Sequence, residues 1–124
     1  MRYLPLVLAM ILEFAVASGS AYGADAAAGE QVSQRCAICH KFDKGSGKGL
    51  GPNLFGIVGR KAASLPDFAY SGALKASKIT WTSDNLAKWA AGPTKMVPGT
   101  KMVFPGITSK NDVANLIAYL NTLK

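Results

Sequence analysis

Cys36, Ala37, Ile38, Cys39 and His40 form the stretch that decides the reading of this chain. Two thiols three residues apart, followed at once by an imidazole, are what covalent haem attachment needs. Each cysteine adds across one vinyl group of the porphyrin, and the next residue turns its ring under the macrocycle to ligate iron. On a helical turn the two cysteines lie near one face, as two vinyls on one edge of a flat group require. The spacing also occurs in thioredoxin-like dithiols and in halves of zinc sites. Neither suits this chain. It has two cysteines and one histidine in all, too few for a four-ligand zinc site, and no βαβ pattern surrounds the pair.

The N-terminus reads as an export signal. Met1 and Arg2 lead into an apolar run from Tyr3 to Leu12, and small residues follow at Ala17, Ser18, Gly19, Ser20 and Ala21. Residues 1–23 have the outline of a secretory signal peptide, with a cut after Gly23 and a mature domain over residues 24–124. Glu13 interrupts the apolar run well short of the ~20 residues that span a bilayer, which argues against an uncleaved anchor. Export implies the periplasm, where the two thiols are consumed in thioether bonds rather than in a disulfide. Hydrophobic residues make up 49% of the whole chain, and the leader contributes disproportionately, so the remainder is an ordinary soluble composition. One domain of this size buries a modest core, and a central cofactor supplies apolar mass that it lacks.

Along the mature part, Asp25 can cap a first helix running to about Cys39, which delivers the haem motif at its end. From Lys41 to Gly59 glycines recur at Gly45, Gly47, Gly49, Gly51, Gly56 and Gly59. No period survives there, so the segment reads as a loop able to wrap closely against a flat ligand. A short helix is expected around Gly72 to Ser77. Thr82 or Ser83 caps another, with Leu86, Trp89 and Ala90 on one face, and Gly92 and Pro93 stop it. Pro93 to Gly106 reads as loop. Ser109 caps the last helix, whose Val113, Leu116, Ile117 and Leu120 fall on one apolar stripe.

A second axial ligand has to come from elsewhere, because His40 is the sole histidine. Met96 and Met102 are the methionines of the mature part, and a soft thioether favours ferrous iron and raises the reduction potential. Pro98, Gly99 and Thr100 before Met102, with Pro105 and Gly106 after it, stiffen a loop that could present sulfur to iron. Met96, at a helix boundary, suits packing better.

Several stretches together carry a resemblance: Gly51, Pro52, Asn53 and Leu54; Gly59, Arg60 and Lys61; Ile79, Thr80 and Trp81; Pro98 to Met102; and Leu116 to Leu120. In order and spacing the mature chain resembles a class I cytochrome c of the mitochondrial and bacterial c2 type. The resemblance implies an all-α fold of about four to five helices, with Gly/Pro-rich loops wrapped around one haem c attached through Cys36 and Cys39. It implies His40 and Met102 as iron ligands, with the Pro52 carbonyl holding the histidine and Thr100 helping to fix the methionine loop. Arg60, Tyr70 and Trp81 correspond to the family's propionate shell, Phe104 to the residue covering the haem edge, and Gly29 with Tyr119 to the crossing of first and last helices. Three positions depart from the family pattern. Ser33 stands where a phenylalanine is usual, Trp89 where a tyrosine is common, and Leu74 where a polar residue often joins a buried water network.

The net charge is +7, and losing Arg2 together with Glu13 leaves it unchanged. Arg35, Lys41, Lys44, Lys48, Lys95 and Lys101 flank the haem motif and the methionine loop, an arrangement that steers a protein onto acidic docking sites. An exported chain without a recognition helix or aromatic platform is a poor nucleic-acid binder. The expected function is a soluble, monomeric electron carrier and not an enzyme. It would shuttle between respiratory or photosynthetic complexes: a cytochrome bc1 complex, a terminal oxidase, a reaction centre or a periplasmic dehydrogenase. The alternative is an open-site haem protein with peroxidase or gas-sensing activity. Intact mass spectrometry of the exported protein should return residues 24–124 plus one haem; a mass that includes residues 1–23 would mean the leader is kept as an anchor.

Overall fold

The computed structural model describes residues 23–124, so residues 1–22 of the expected leader lie outside the described part. Among the described residues there are five helices and one isolated antiparallel bridge, between Lys61 and Thr80. Helix α1 spans Ala26–Ser33, α2 Gly72–Ser77, α3 Ser83–Ala91, α4 Pro93–Met96 and α5 Lys110–Leu120.

Each of the longer helices begins where a side chain can satisfy its free N–H groups. The Asp25 carboxylate accepts from the N–H groups of Ala27 and Ala28, Ser71 Oγ from Leu74, Thr82 Oγ1 from Asn85, and Ser109 Oγ from Asp112. Two expectations need correction. The first helix ends at Ser33 rather than near Cys39. The N–H groups of Gln34, Arg35 and Cys36 reach back three residues to the carbonyls of Gln31, Val32 and Ser33. The chain thus tightens from α-helix into a succession of turns, which carries both cysteines. The segment after Gly92 is not all loop: α4 forms a single turn, because Pro93 at its first position has its φ preset and no N–H to leave unpaired.

Helices α1 and α5 make the most extensive helix contact among the described residues. Gly29 is buried at their crossing, where a Cβ would collide with the Asn115 carbonyl and come within 2.9 Å of the Tyr119 Cβ. The Asp25 N–H donates to Asn115 Oδ1 at 2.8 Å, and the Phe42 and Tyr119 rings pack with centroids 5.9 Å apart. Arg35 and Asp112 add an ion pair at 3.2 Å between the cysteine turn and the start of α5; with the arginine 54% exposed, its contribution is small. Ser33, in a position where a phenylalanine was expected from the resemblance, is 1% exposed and donates to the Glu30 carbonyl.

Val32, Val113, Ile117 and Leu120 are buried together with Leu86, Ala90 and Trp81 in one continuous core. Gly29→Ala should destabilise the protein by about 1–3 kcal/mol in guanidinium unfolding, because the added methyl overpacks the crossing. Alanine alone raises helix propensity, so a neutral or stabilised variant would show that the two helices do not touch there.

Candidate haem site

One apolar cavity of about 430 Å³ occupies the centre of the domain, within the ~300–1,000 Å³ usual for cofactor pockets. Its walls come from α2, α3, α5 and the loops between the helices. The turns after α1 bring Cys36, Cys39 and His40, the following loop Pro52 and Ile57, and the bridged segment Arg60 and Trp81. Helix α3 adds Leu86, Trp89 and Ala90, the loop after α4 adds Thr100 and Met102, and α5 adds Leu116 and Leu120. All nine residues marked out in the sequence line this one cavity: Cys36, Cys39, His40, Pro52, Arg60, Tyr70, Trp81, Thr100 and Met102. Met96 does not line it and packs, half-buried, against the core.

Histidine 40 is held in one orientation. Its Nδ1 lies 2.7 Å from the Pro52 carbonyl, to which it donates, and this leaves Nε2 as the nitrogen with a free lone pair. Burial pushes its pKa below the ordinary 6.5, while the Pro52 hydrogen bond works in the opposite direction. The neutral ring is the form that can bind a metal. Gly51, buried beside it, lets the backbone lie flush on the imidazole, because a Cβ there would stand 2.5 Å from the ring's Cε1. The loop closes on the motif a second time through the Gly51 N–H, which donates to the Cys39 carbonyl at 2.8 Å. Burial raises the Cys36 thiol above its ordinary value, partly offset by the charge of Arg35 and reinforced by Cys39.

Polar groups gather in one part of the cavity. The Trp81 backbone N–H donates to the Arg60 carbonyl at 2.8 Å, fixing the two residues side by side. The Arg60 guanidinium donates to the carbonyls of Asn53 and Phe55 at 2.9 and 3.2 Å. Its pKa is lowered by burial, against the opposing influence of the neighbouring Tyr70 and Asp67. Tyr70 Oη accepts the Leu65 N–H at 3.3 Å, which leaves its own proton to donate. Arginine, phenol and indole thus form a donor set suited to a buried carboxylate.

The methionine loop is tied down along its length. The Met102 N–H donates to Thr100 Oγ1 at 3.3 Å, Lys101 Nζ to the Ala69 carbonyl at 3.2 Å, and the Ile107 N–H to the Ala90 carbonyl at 2.9 Å. Trp89 meets Trp81 edge to face, with centroids 5.1 Å apart. The sequence did not single out Phe68, Ser71 or Ile107, which also line the cavity. Phe68 stands edge-on to Tyr70 at 4.9 Å; the alternation of aromatic and small residues from Phe68 to Ser71 is the one local sign of it.

The residues present fit a haem: an apolar cavity, a paired-thiol turn, a neutral imidazole with a free nitrogen, a thioether and a donor cluster for carboxylates. Fold and site together define a haem-binding protein of the c type. The chain belongs to the cytochrome c family, whose model, described as "Cytochrome c", matches residues 26–124. Among its relatives are cytochrome c-554 of Methylosinus trichosporium, 44% identical over 94% of this chain and 89% of the relative, and cytochrome c2 of Rhodomicrobium vannielii, 45% identical over 93% of each. Among solved structures, cytochrome cH from Methylobacterium extorquens is 49% identical with a TM-score of 0.74, covering 79% of this chain and 98% of that one. As a member of the family the chain is an electron-transport protein with one covalently bound haem c, for which Cys36 and Cys39 are the matching thiols.

The direction of the His40 shift gives a pH dependence. Its folded pKa lies below 6.5, so the unfolded chain takes up the proton first. The histidine's contribution is therefore full above 6.5 and is lost as pH falls through the window beneath it. In the haem-free chain, where no iron holds the ring, the guanidinium unfolding midpoint should be lower at about pH 5.5 than at about pH 7.5; an equal or higher midpoint at the acid end would mean that burial does not depress the ring's pKa.

Proposed function

We propose that this chain is a soluble one-electron carrier of the periplasm, with His40 and Met102 as the axial ligands of its haem iron. Bound haem supplies a one-electron ferric/ferrous couple. The protein's part is to hold that group still and dry. Cys36 and Cys39 fix one edge, Pro52 sets the His40 tautomer, and Thr100 restrains Met102. Arg60, Tyr70 and Trp81 would pair with the propionates, so that two carboxylates could enter the interior with partners. The observation that carries the reading is that His40 and Met102, 62 positions apart in the sequence, line the same cavity as both cysteines. With His40 and Met102 both bound, the iron would have no open position for substrate, which supports a carrier over an open-site peroxidase or gas sensor.

The compartment follows from the reading of residues 1–23 as a cleaved signal. The +7 charge supports acidic docking sites as partners, and the family resemblance suggests that these lie on a cytochrome bc1 complex, a terminal oxidase, a reaction centre or a periplasmic dehydrogenase. No described helix is long and apolar enough to cross a membrane.

Absorption spectra of the oxidised and reduced protein, with carbon monoxide added to the reduced form, test the ligand assignment. The wild type should be low-spin, show a methionine-to-ferric-iron band and ignore carbon monoxide. Met102→Ala should lose the band, bind carbon monoxide and fall in potential by about 0.1–0.3 V. Ready carbon monoxide binding by the wild type would end the carrier reading.

A further inference from the structure

The loop that carries Met102 is fastened at both ends to helices that face the cavity with apolar side chains. At its start Gly99, with φ +89°, lies against α2, where a Cβ would stand 3.2 Å from the Ala73 Cβ. Leu74, the next residue of α2, is buried and lines the cavity. At the loop's end the Ile107 N–H donates to the Ala90 carbonyl at 2.9 Å, and Gly106 sits so close to α3 that a Cβ would collide with the Ala91 carbonyl. Trp89 lines the cavity just before that contact, its ring braced edge to face by Trp81. Leu74 and Trp89 therefore reach the cavity beside the two ends of the methionine loop.

Polar atoms are scarce there. The other cavity-lining residues of α3 and of the loop's far end, Leu86, Ala90, Phe104 and Ile107, are hydrocarbon. Thr100 Oγ1 already accepts the Met102 N–H, Lys101 Nζ donates to the Ala69 carbonyl, and Ser71 Oγ accepts the Leu74 N–H. What is left over is mostly donors: two hydroxyl protons and the Trp89 indole N–H. A buried water makes about three hydrogen bonds and both gives and takes, so these groups are too few and too one-sided to hold one. Among the described residues no fully buried side-chain nitrogen or oxygen lacks a partner, so the packing outside the cavity leaves no orphan for a water to satisfy. We propose that this chain keeps the methionine side of its haem pocket dry, with Leu74 and Trp89 as positioning residues that exclude water and hold Met102 by packing alone. Both are positions where the chain departs from its family's pattern, so the dryness belongs to this chain. Hydrocarbon beside the sulfur has no dipole to reorient when the iron changes charge, and it shields the site from solvent. This inference rests on the carrier reading, with Met102 as ligand.

Water-to-protein NOE spectra of the reduced, haem-loaded protein test this, with the midpoint potential measured alongside. The wild type should show no long-lived water at the Met102 Cε methyl, the Leu74 methyls or the Trp89 ring. The polar double variant Leu74→Asn, Trp89→Tyr supplies an amide and a phenol. It should take in about one water, seen at the Met102 methyl, and its midpoint potential should shift. The apolar double variant Leu74→Met, Trp89→Phe should stay dry, because a cavity lined by hydrocarbon does not fill. A long-lived water at the wild-type Met102 methyl would overturn the proposal, and that observation needs no variant to fold. So would a polar variant that stays dry at the wild-type potential, since the apolar pair would then not be what excludes water. A wet apolar variant would do the same, because volume and not polarity would then decide. A ferric wild type without the methionine-to-iron band would end the ligand assignment instead, while water contacts at Leu74 and Trp89 judge the dryness separately.

Discussion

The hydrogen bond between His40 Nδ1 and the Pro52 carbonyl, 2.7 Å long, is the contact on which the site depends. It joins the cysteine turn to a loop that has no regular structure of its own, and it settles which ring nitrogen remains free. A carbonyl can approach that closely because Gly51 carries no side chain to meet the imidazole. The glycine-rich sequence from Lys41 to Gly59 is therefore more than a connector. It lays backbone rather than side chains against the histidine, and the same stretch returns to the Cys39 carbonyl and, through the Gly56 N–H, to the carbonyl of Leu123 near the C-terminus.

Core and site are one object here. Of the buried hydrophobic residues in the described part, Val32, Val97, Val113 and Ile117 alone do not line the cavity. A domain of this length has little apolar mass to spare, and it spends most of it facing the cofactor. Folding and haem binding are consequently coupled: anything that binds the native chain and not the unfolded one adds to its stability. The α1/α5 crossing stands partly apart, held by Gly29, by Val32 and by the Asp25 link to Asn115. It gives the chain ends a packed seam of their own.

Much of this was legible in the sequence, and the exceptions have physical causes. Capping residues at Asp25, Thr82 and Ser109 set the starts of three helices within a residue, because a side-chain oxygen followed by an apolar period is a local signal. The end of α1 was not legible. A chain bonding three residues back and one bonding four residues back use the same residue types, and the choice is made by the turn that must present both cysteines. One turn of helix after Gly92 was hidden by the two residues that ordinarily mean loop. Cys36, Cys39 and His40 were readable from spacing, whereas Pro52, Arg60, Tyr70 and Trp81 were found through the family resemblance and not from any period or spacing. Leu50 and Val103 gave no signal at all: single apolar residues in loops have no periodicity, and it takes the fold to bring both to the cavity.

A carrier has to bind quickly and let go quickly, and these demands fall on different physics. Attraction between exposed charges reaches about a Debye length, ~8–10 Å in physiological salt, and guides approach without fixing a pose. Apolar contact has no reach but is indifferent to salt, and its strength scales with the few side chains involved. Arg35 shows how the surface separates the two. It lines the cavity mouth, yet one of its guanidinium nitrogens is already committed to Asp112 at 3.2 Å, so it adds charge to the field more readily than it can form a new close pair. Long-range attraction with little short-range charge pairing favours a complex that forms at high rate and dissociates readily.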